Sequence, residues 1–371
     1  MSKHWRRFVF ILLLSVVAGA AGLAGFYRWQ FSAIRQKQQL LRPTRFDSRW
    51  NDYSGALHVH TRAGGHTDAT LEEMLEGARA AGLDFIGLTE HSGAQSSPDT
   101  AAPAAPLILR GQEVDRAGSH ELTFDGVDRS AFSIATHWKG SGIDNPAAEI
   151  FNLHEEADAA SRWKLALGWL GSLRGYGQYL LMPHVSVYRD HLSDWQKLVS
   201  SRRVVAVAGN DAHANIGIRP SGRKLLLDPY ERSFRYVSTH IWLEHGVALT
   251  RESLLAALTA GHAYIAFDFL APTQSFYFAA APVGGGQSTI LSGDKVSNPV
   301  RLTVRSPLRA RIVLIKDGVA LQQVDALGLD FTTSEPGVYR VELYLRQLGG
   351  YAEEHPWIIS NPVYVQVASD R

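Results

Sequence analysis

The chain has 371 residues, of which 45% are hydrophobic and 20% charged, the composition of an ordinary globular protein. The formal net charge is +1, so no basic field points to nucleic acid, and no nucleic-acid partner is expected. There is no cysteine, which excludes disulfides, thiolate metal ligands and a cysteine nucleophile. Any metal ion must therefore be held by histidine and carboxylate side chains.

The N-terminus carries an apolar segment long enough to span a bilayer. Residues 8–27 contain no charge, and the run is longer than the apolar part of a usual signal peptide. Small residues at 18–20 leave cleavage as an alternative, and we favour an uncleaved transmembrane anchor. Residues 1–7 are then a short cytoplasmic N-terminus and residues 28–50 a polar linker.

The orientation of this segment depends on the position of the globular part. Basic residues flank the span on both sides, which weakens the positive-inside argument. Because the whole globular part lies after the only span, we expect a single-pass protein of the bacterial inner membrane. Its globular part is expected on the periplasmic side.

From residue 51 onward, short apolar runs rich in β-formers each end at a residue that can bind a metal ion. The helical pattern "TLEEMLEGARAAGL" lies between two of them, and strand–helix–strand spacing favours βαβ units with a parallel sheet. In a β/α barrel the C-terminal strand ends meet at one mouth, so a polynuclear metal site is expected there. The residues at these ends are His58 and His60, His91, Glu113, His137, His184, and Asp211 with His213.

The pair His58 and His60 does not by itself show whether the two residues bind a metal ion. Two histidines at i and i+2 point to one face of a strand, which suits a metal ion, although surface histidines in a loop would give the same pair. The recurrence of ligand-type residues at the ends of successive runs favours metal ligands.

The ordered motifs "LHVHT", "GLDFIGLTEH", "GQE", "IATHW…EIFN" and "GNDAH" resemble the PHP (polymerase and histidinol phosphatase) metallohydrolase superfamily over about residues 54–268. The resemblance implies a distorted (β/α)7 barrel at residues 51–268 with two to three divalent metal ions, zinc, manganese or iron. It also implies three ligand groups: His58, His60, Glu113 and Asp211; Glu113 as a bridge with His120 and His137; and His66, His91 and His213. Catalytic roles would fall to Asp211, His213 and Glu113.

The sequence departs from the usual family pattern at several motif positions. His66 stands where aspartate is usual, as in some trinuclear members, and histidine remains a competent ligand. His137 is followed by Trp138 rather than proline, and His120 is supported only by its position after the Glu113 motif.

Residues 269–371 have a different sequence pattern from the preceding part of the chain. Alternating and β-rich runs separated by Gly, Pro and Asn turns predict a small antiparallel β-sandwich domain. The segments "GVYRVELY" and "PWIISNPVYV" resemble the tail of the PHP branch that includes the bacterial carbaryl hydrolases. No chemistry is visible in this part of the chain.

Several further residues are candidates for roles other than metal binding. His184 is a possible substrate residue at the mouth, and Arg219 and Arg223 are possible anion-binding residues, for which an exposed basic loop is the alternative. Glu149 could orient a histidine ligand through its second ring nitrogen or serve as a buried structural carboxylate. His240 matches no motif and is expected to have a surface or core role.

The motifs support three functional hypotheses. The leading one is a membrane-anchored PHP phosphoesterase in which water activated by metal ions attacks a small-molecule phosphoester, since no Gly-X-Ser-X-Gly elbow or cysteine offers a covalent nucleophile. The second is an aryl carbamate or ester hydrolase of the same architecture. The third is a non-catalytic binding module anchored at the membrane.

Overall fold

The computed structural model describes residues 3–46, 48–91, 106–116, 118–140, 142–173, 175–215, 217–218, 225–226, 228–284 and 290–368. The α-helices within these ranges are α1 (Lys3–Leu40), α2 (Leu71–Ala81), α3 (Leu153–Ala159), α4 (Arg162–Ser172), α5 (Tyr188–Val199), α6 (Tyr230–Tyr236) and α7 (Arg251–Ala260). The strands of the first part are β1 (Trp50–Val59), β2 (Phe85–His91), β3 (Leu107–Arg116), β4 (Ser119–Phe124), β5 (Ser133–Thr136), β6 (Ala147–Asn152) and β7 (Val205–Ala212).

The remaining strands lie after β7. They are β8 (Gly217–Ile218), β9 (Leu225–Leu226), β10 (Ser238–Glu244), β11 (Ala263–Ala266), β12 (Tyr277–Pro282), β13 (Ile290–Leu291), β14 (Lys295–Ser297), β15 (Val300–Lys316), β16 (Val319–Thr333), β17 (Gly337–Tyr344), β18 (Pro356–Ser360) and β19 (Val363–Gln366).

Strands β1 to β7 pair in chain order, and β7 pairs back onto β1 to close a seven-stranded barrel. All of these pairings are parallel except those of β4, which runs antiparallel to β3 and β5. Every residue of β6 and β7 is buried, as expected for strands covered on both faces. The protein is thus a mixed α/β protein, as predicted, and the parallel strand ends meet at one side of the barrel.

Helices connect only some of the barrel strands. The pattern at 70–83 is confirmed as α2, which begins with a capping box between Thr70 and Glu73 and ends at Gly82 in the left-handed conformation. Helices α3, α4 and α5 lie between β6 and β7. Between β3 and β5 the described residues form no helix, because β4 pairs antiparallel with both strands and needs only short connections. The parallel strands β5 and β6 are also joined without a helix in the described residues.

The strands after β9 extend the barrel sheet. Strand β10 pairs antiparallel with the first half of β1, and β11 joins β10 to β18. In the region predicted as an antiparallel sandwich, the described strands pair antiparallel except for β14 with β19. These strands are hydrogen-bonded to the barrel through β18 and β11.

Helix α1 is, among the described residues, the one helix long and apolar enough to cross a membrane; a signal sequence would meet the same test. Its first half is exposed, with Phe8 at 59% and Val17 at 64%. The helix continues through residues 28–40, which were predicted as a linker. This second half packs on the body, where Tyr27, Phe31 and Ile34 are buried.

A buried ionic network joins the barrel to the added strands. The ring of His240 on β10 bonds Asp52 Oδ1 through Nδ1 at 2.8 Å and Asp268 Oδ2 through Nε2 at 3.3 Å. The hydroxyl of Tyr264 donates to Asp52 Oδ2 at 2.6 Å. Of the surface and core roles expected for His240, the structure therefore shows the core role.

Candidate metal centre

Three of the predicted ligands have an unusual backbone. His58, His137 and Asp211 have φ angles of 60°, 50° and 46°, in the left-handed region that non-glycine residues rarely adopt. Strained residues of this kind cluster at functional sites. All three lie at the C-terminal ends of barrel strands, so the strain is concentrated at one mouth.

A local irregularity in the barrel explains part of this geometry. Leu57 of β1 pairs with Gly209 of β7, and Val59 pairs with Ala212, so three residue steps on β7 oppose two on β1. The extra residue in β7 is a bulge, which redirects side chains near a strand end. The bulge aims Asp211 into the same space as His58 and His60.

Glu113 lies at the centre of the cluster. Its Oε2 atom is 3.3 Å from Nε2 of both His58 and His60 and 3.4 Å from Nδ1 of His91. Its other oxygen, Oε1, is 2.7 Å from Nδ1 of His120 and 3.7 Å from Nε2 of His137. The two oxygens of one carboxylate thus face two different sets of histidines.

Asp211 repeats this arrangement from the opposite strand. Its Oδ1 atom is 3.5 Å from Nε2 of both His58 and His60, and its Oδ2 is 3.3 Å from Nε2 of His137. The described residues hold three groups whose ligand atoms lie within 4.8 Å of one another: His58, His60 and Asp211; His58, Glu113 and His137; and His60, His91 and His213. These groups could hold metal ions.

Each of three histidines is held through Nδ1, which leaves Nε2 as the remaining ring nitrogen. His58 Nδ1 contacts Glu149 Oε1 at 3.0 Å, and His137 Nδ1 contacts Glu155 Oε1 at 2.8 Å. His213 Nδ1 bonds the backbone oxygen of Asp211 at 2.9 Å. Such outer hydrogen bonds fix the ring orientation of metal-binding histidines.

Glu149 is itself fixed from several sides. It accepts hydrogen bonds from the Thr136 hydroxyl and from Asn152 Nδ2. A Cβ atom added at Gly209 would lie 2.0 Å from Glu149 Oε1, so only glycine leaves room for this carboxylate. Of the two roles considered for Glu149 from the sequence, the structure shows contact with a histidine of the cluster.

Several buried ring nitrogens in the cluster are available to bind a metal ion. His58 Nε2 and both ring nitrogens of His60 are buried without a hydrogen-bond partner among the described residues. The two Nε2 atoms lie 3.3 to 3.5 Å from oxygens of Glu113 and Asp211 without a hydrogen bond, and coordination of a metal ion by both kinds of atom would satisfy them. The donor set of imidazole and carboxylate suits zinc, manganese and iron.

The electrostatics of the cluster also favour a cation. Burial alone would lower the pKa of His58, but the carboxylates of Asp211 and Glu149 raise it well above 6.5. Burial opposes ionisation of Asp211, yet the neighbouring His58 and His137 hold its pKa well below its usual range. The carboxylates therefore attract positive charge into a buried space, and metal ions can supply it in place of protons.

Two predicted ligands lie at the rim. His66 is exposed, with its ring centroid 3.9 Å from that of His91, and it belongs to none of the three groups. His120 is 38% exposed, and its Nδ1 faces the Glu113 carboxylate. The assignment of His66 to a third ion stays a prediction.

His184 is not part of the cluster. The strand predicted to end at His184 is wrong, because Met182–His184 forms a 3-10 turn in which the His184 ring packs against Tyr27 of α1. Proline in the first turn of this segment suits a helical turn better than a central strand. Arg219 and Arg223 lie outside the described residues.

Sequence reasoning missed several residues that shape the site. Glu155 and Asn152 lie in "NLHEEAD", where the Asn152 side chain accepts hydrogen bonds from the backbone of His154 and Glu155 and so caps α3. An Asn before a helical acidic pair is a recognisable cap signal. Trp138, in place of proline, is fully buried and donates from Nε1 to the Glu149 backbone oxygen at 2.7 Å.

A cavity of about 460 Å³ opens beside the cluster. Asp211 and His213 of the cluster line it, together with His154. The ring of His154 is 5.5 Å from that of His213, a neighbour that the sequence did not indicate. The remaining wall is mostly apolar and is formed by residues of α3, α4, α6 and the segment between α4 and α5.

Asn152→Ala should weaken both the helix and the metal centre. The variant loses the cap of α3 and the hydrogen bond to Glu149, so we expect a loss of about 1 kcal/mol in the free energy of unfolding and about tenfold in zinc affinity. Thermal unfolding and calorimetric zinc titration of the full-length chain in detergent measure the two effects. The control is Thr70→Ala, which removes the comparable cap of α2 and should lower stability while leaving zinc affinity unchanged. Equal zinc affinities in the parent, Asn152→Ala and Thr70→Ala would contradict the role of Asn152.

His66→Ala tests the third ion. If His66 completes a site with His91 and His213, the variant should lose about one ion per chain, whereas His66→Asp should retain it and shift preference from zinc toward manganese. Elemental analysis after reconstitution with each metal checks this. Unchanged metal content in His66→Ala would make His66 a rim residue without a metal.

Fold and site together define a mixed α/β barrel protein with a candidate polynuclear metal centre. No family model matches the chain, and no curated protein matches it. Among solved structures the chain is similar to PsfC from Pseudomonas syringae PB-5123, with 14% identity, a TM-score of 0.34, and coverage of 58% of this chain and 92% of that chain.

Proposed function

We propose that the chain is a metal-dependent hydrolase of the PHP type, acting on phosphoesters and anchored in the membrane by α1. The observation that carries the proposal is the position of Glu113, whose two oxygens face separate sets of histidines. A carboxylate in this position can bridge two cations. Paired cations are a recurrent arrangement in phosphoester hydrolysis because they stabilise charge on both the attacking and leaving oxygens.

The predicted ligands would form three ion sites. His58, His60, Glu113 and Asp211 would hold one ion; Glu113, His120 and His137 a second; and His91 and His213, with His66, a third. When bound, the ions would supply Lewis-acid polarisation of the phosphoryl group and activation of water. Glu149 and Glu155 hold the rings of His58 and His137 in place, and Asp211 borders a cavity with a mostly apolar wall.

Turnover measurements test this proposal. The full-length chain, reconstituted with zinc or manganese in detergent, should hydrolyse p-nitrophenyl phosphate or bis-p-nitrophenyl phosphate and lose that activity on chelation. Preference for a naphthyl carbamate would instead identify a carbamate hydrolase. Metal binding without turnover of any of the three would favour a binding module and contradict the proposal.

The proposed location is the bacterial inner membrane with the body on the periplasmic side. A β-lactamase fused to the C-terminus should then confer ampicillin resistance, and green fluorescent protein fused at the same place should be dark after export. Both fusions should fractionate with the membrane. If the green fluorescent protein fusion is fluorescent and the β-lactamase fusion leaves the cells sensitive to ampicillin, the body lies in the cytoplasm.

A further inference from the structure

The cavity beside the metal centre is larger and more apolar than a small phosphoester requires. Asp211 and His213 of the metal centre line it, Arg162, Asp228 and Arg232 are further charged lining residues, and hydrocarbon side chains form most of the lining surface. Cavities of this kind bind ligands with an apolar body and one polar group at a fixed position. The apolar wall consists chiefly of Leu153, Leu165, Trp169, Leu180, Leu181 and Tyr236.

Helix α4 forms one side of this cavity. Arg162, Leu165, Ala166 and Trp169 line it, and their spacing of three and four residues places them on one face of the helix. This face therefore belongs to the ligand-binding space rather than to the protein core.

Another face of α4 packs on the end of the predicted membrane span. A Cβ atom added at Gly171 would lie 2.7 Å from the backbone oxygen of Ala24 and 2.8 Å from Tyr27 Cβ, so glycine permits the close approach of the two helices. Arg28 Nη1 donates to the Leu173 backbone oxygen at 3.0 Å. The contact fixes α4 beside residues 24–28, where the apolar run ends.

Two large apolar residues of α4 are exposed, Trp163 at 58% and Leu170 at 47%. Leu173, which follows the helix, is 42% exposed. Lys164 and Arg28 are exposed nearby, so apolar and basic groups occur together. Helices that lie in the interface of an anionic bilayer combine Trp and Leu with basic residues in this way.

We propose that the substrate is an amphiphilic phosphoester drawn from the bilayer across α4, with its alkyl chain in the apolar cavity and its phosphate at the Asp211 end. This rests on the proposed hydrolase function. The cavity, the exposed apolar residues and the span all adjoin α4, so a lipid chain that leaves the bilayer along this helix would reach the cavity. In the reaction, the oxygen of water would form the new P–O bond while the ester P–O bond breaks, and the proton lost by water would go to the departing alkoxide, which leaves as the alcohol.

Chain-length dependence tests the proposal. With the full-length protein in phosphatidylcholine nanodiscs, the KM for dodecyl phosphate should be at least about 100-fold below that for ethyl phosphate, because the longer chain buries many more methylene groups. Ala157→Trp fills the cavity from α3 and should reduce this ratio at least about tenfold. Ala159→Trp, the same change at an exposed position of the same helix, should leave the ratio unchanged.

Binding supplies a readout that needs no turnover. Dodecylphosphonate, which is not hydrolysed, should bind at least about 100-fold more tightly than ethylphosphonate by calorimetry. Ala157→Trp should weaken dodecylphosphonate binding about tenfold, and Ala159→Trp should stay within about twofold of the parent. Ala166→Phe on α4 is a second cavity-filling variant should Ala157→Trp fail to fold.

The outcomes separate the two proposals. Hydrolysis of ethyl phosphate with no chain-length dependence in either assay would overturn the lipid substrate and leave the hydrolase. Chain-dependent phosphonate binding without turnover of either ester would overturn the hydrolase and support the cavity as an amphiphile site.

Contact of α4 with lipid has its own test. Because the chain has no cysteine, single cysteines can be spin-labelled without background. A label at Leu170→Cys should be more accessible to oxygen than to a water-soluble nickel reagent, and a label at exposed Val319→Cys in β16 should show the reverse. A water-exposed Leu170 label would overturn the route from the bilayer.

Discussion

Asp211→Asn is expected to lose bound metal and to lower kcat/KM at least about 10³-fold, since a loss of about 4 kcal/mol in transition-state stabilisation corresponds to that factor. Asp211 has one oxygen 3.5 Å from Nε2 of His58 and His60 and the other 3.3 Å from Nε2 of His137. The substitution removes the negative charge of one ligand group, which also faces His137 of a second. Asparagine is nearly the same size and tolerates φ of 46°, so the fold should persist.

Elemental analysis, circular dichroism and turnover of the same preparation check this result. Asp330→Ala, which removes an exposed carboxylate from β16, is the matched control and should retain metal and activity. Full metal content and activity in Asp211→Asn would show that Asp211 is not a metal ligand and would contradict its assigned role.

His240→Gln is expected to cost about 3–5 kcal/mol in the free energy of unfolding, because it leaves two partly buried carboxylates without their cation. Burial opposes protonation of His240, but Asp52 and Asp268 outweigh it and raise its pKa from 6.5 to about 10. A raised folded-state pKa means that the stabilisation is complete below about pH 6.5 and is lost as the pH rises through about 10.

The unfolding difference between parent and His240→Gln should therefore be largest near pH 6 and shrink toward pH 10. Thermal unfolding in detergent across this range measures it. His262→Gln provides the control, since His262 bonds Asp294 at 2.8 Å in a partly exposed pair and should contribute less than about 1 kcal/mol. Equal, pH-independent losses in the two variants would contradict the buried ion network.

The sequence carried most of the information on which side chains meet, and little on how their backbones are arranged. Apolar runs ending at His91, Glu113 and Asp211 predicted parallel strand ends, and the structure brings these residues within one cluster. The bulge that redirects Asp211 depends on the register between β1 and β7, which no local pattern encodes.

Contacts between distant segments were the other part that could not be predicted. Residues 28–40 read as a polar linker because their polar side chains are numerous, yet Phe31 and Ile34 fall on the buried side of a continuous helix. The hydrocarbon wall beside His213 likewise comes from helices far apart in the chain, whose apolar residues looked like ordinary core. Glu155 was missed because its partner His137 lies 18 residues earlier.

The packing of α1 determines the order in which the protein can complete its fold. The aromatic ring of Phe31 lies 5.7 Å from that of Tyr179, and Lys37 donates to the backbone oxygen of Leu348, 311 residues later in the chain. The helix is synthesised before these partners, and Leu348 follows Lys37 only after 311 residues. This end of its buried side therefore stays uncovered until the strands near residue 348 have been made, so the body cannot complete its fold domain by domain. We therefore expect chains truncated near residue 345 to remain protease-sensitive even though the barrel strands are complete.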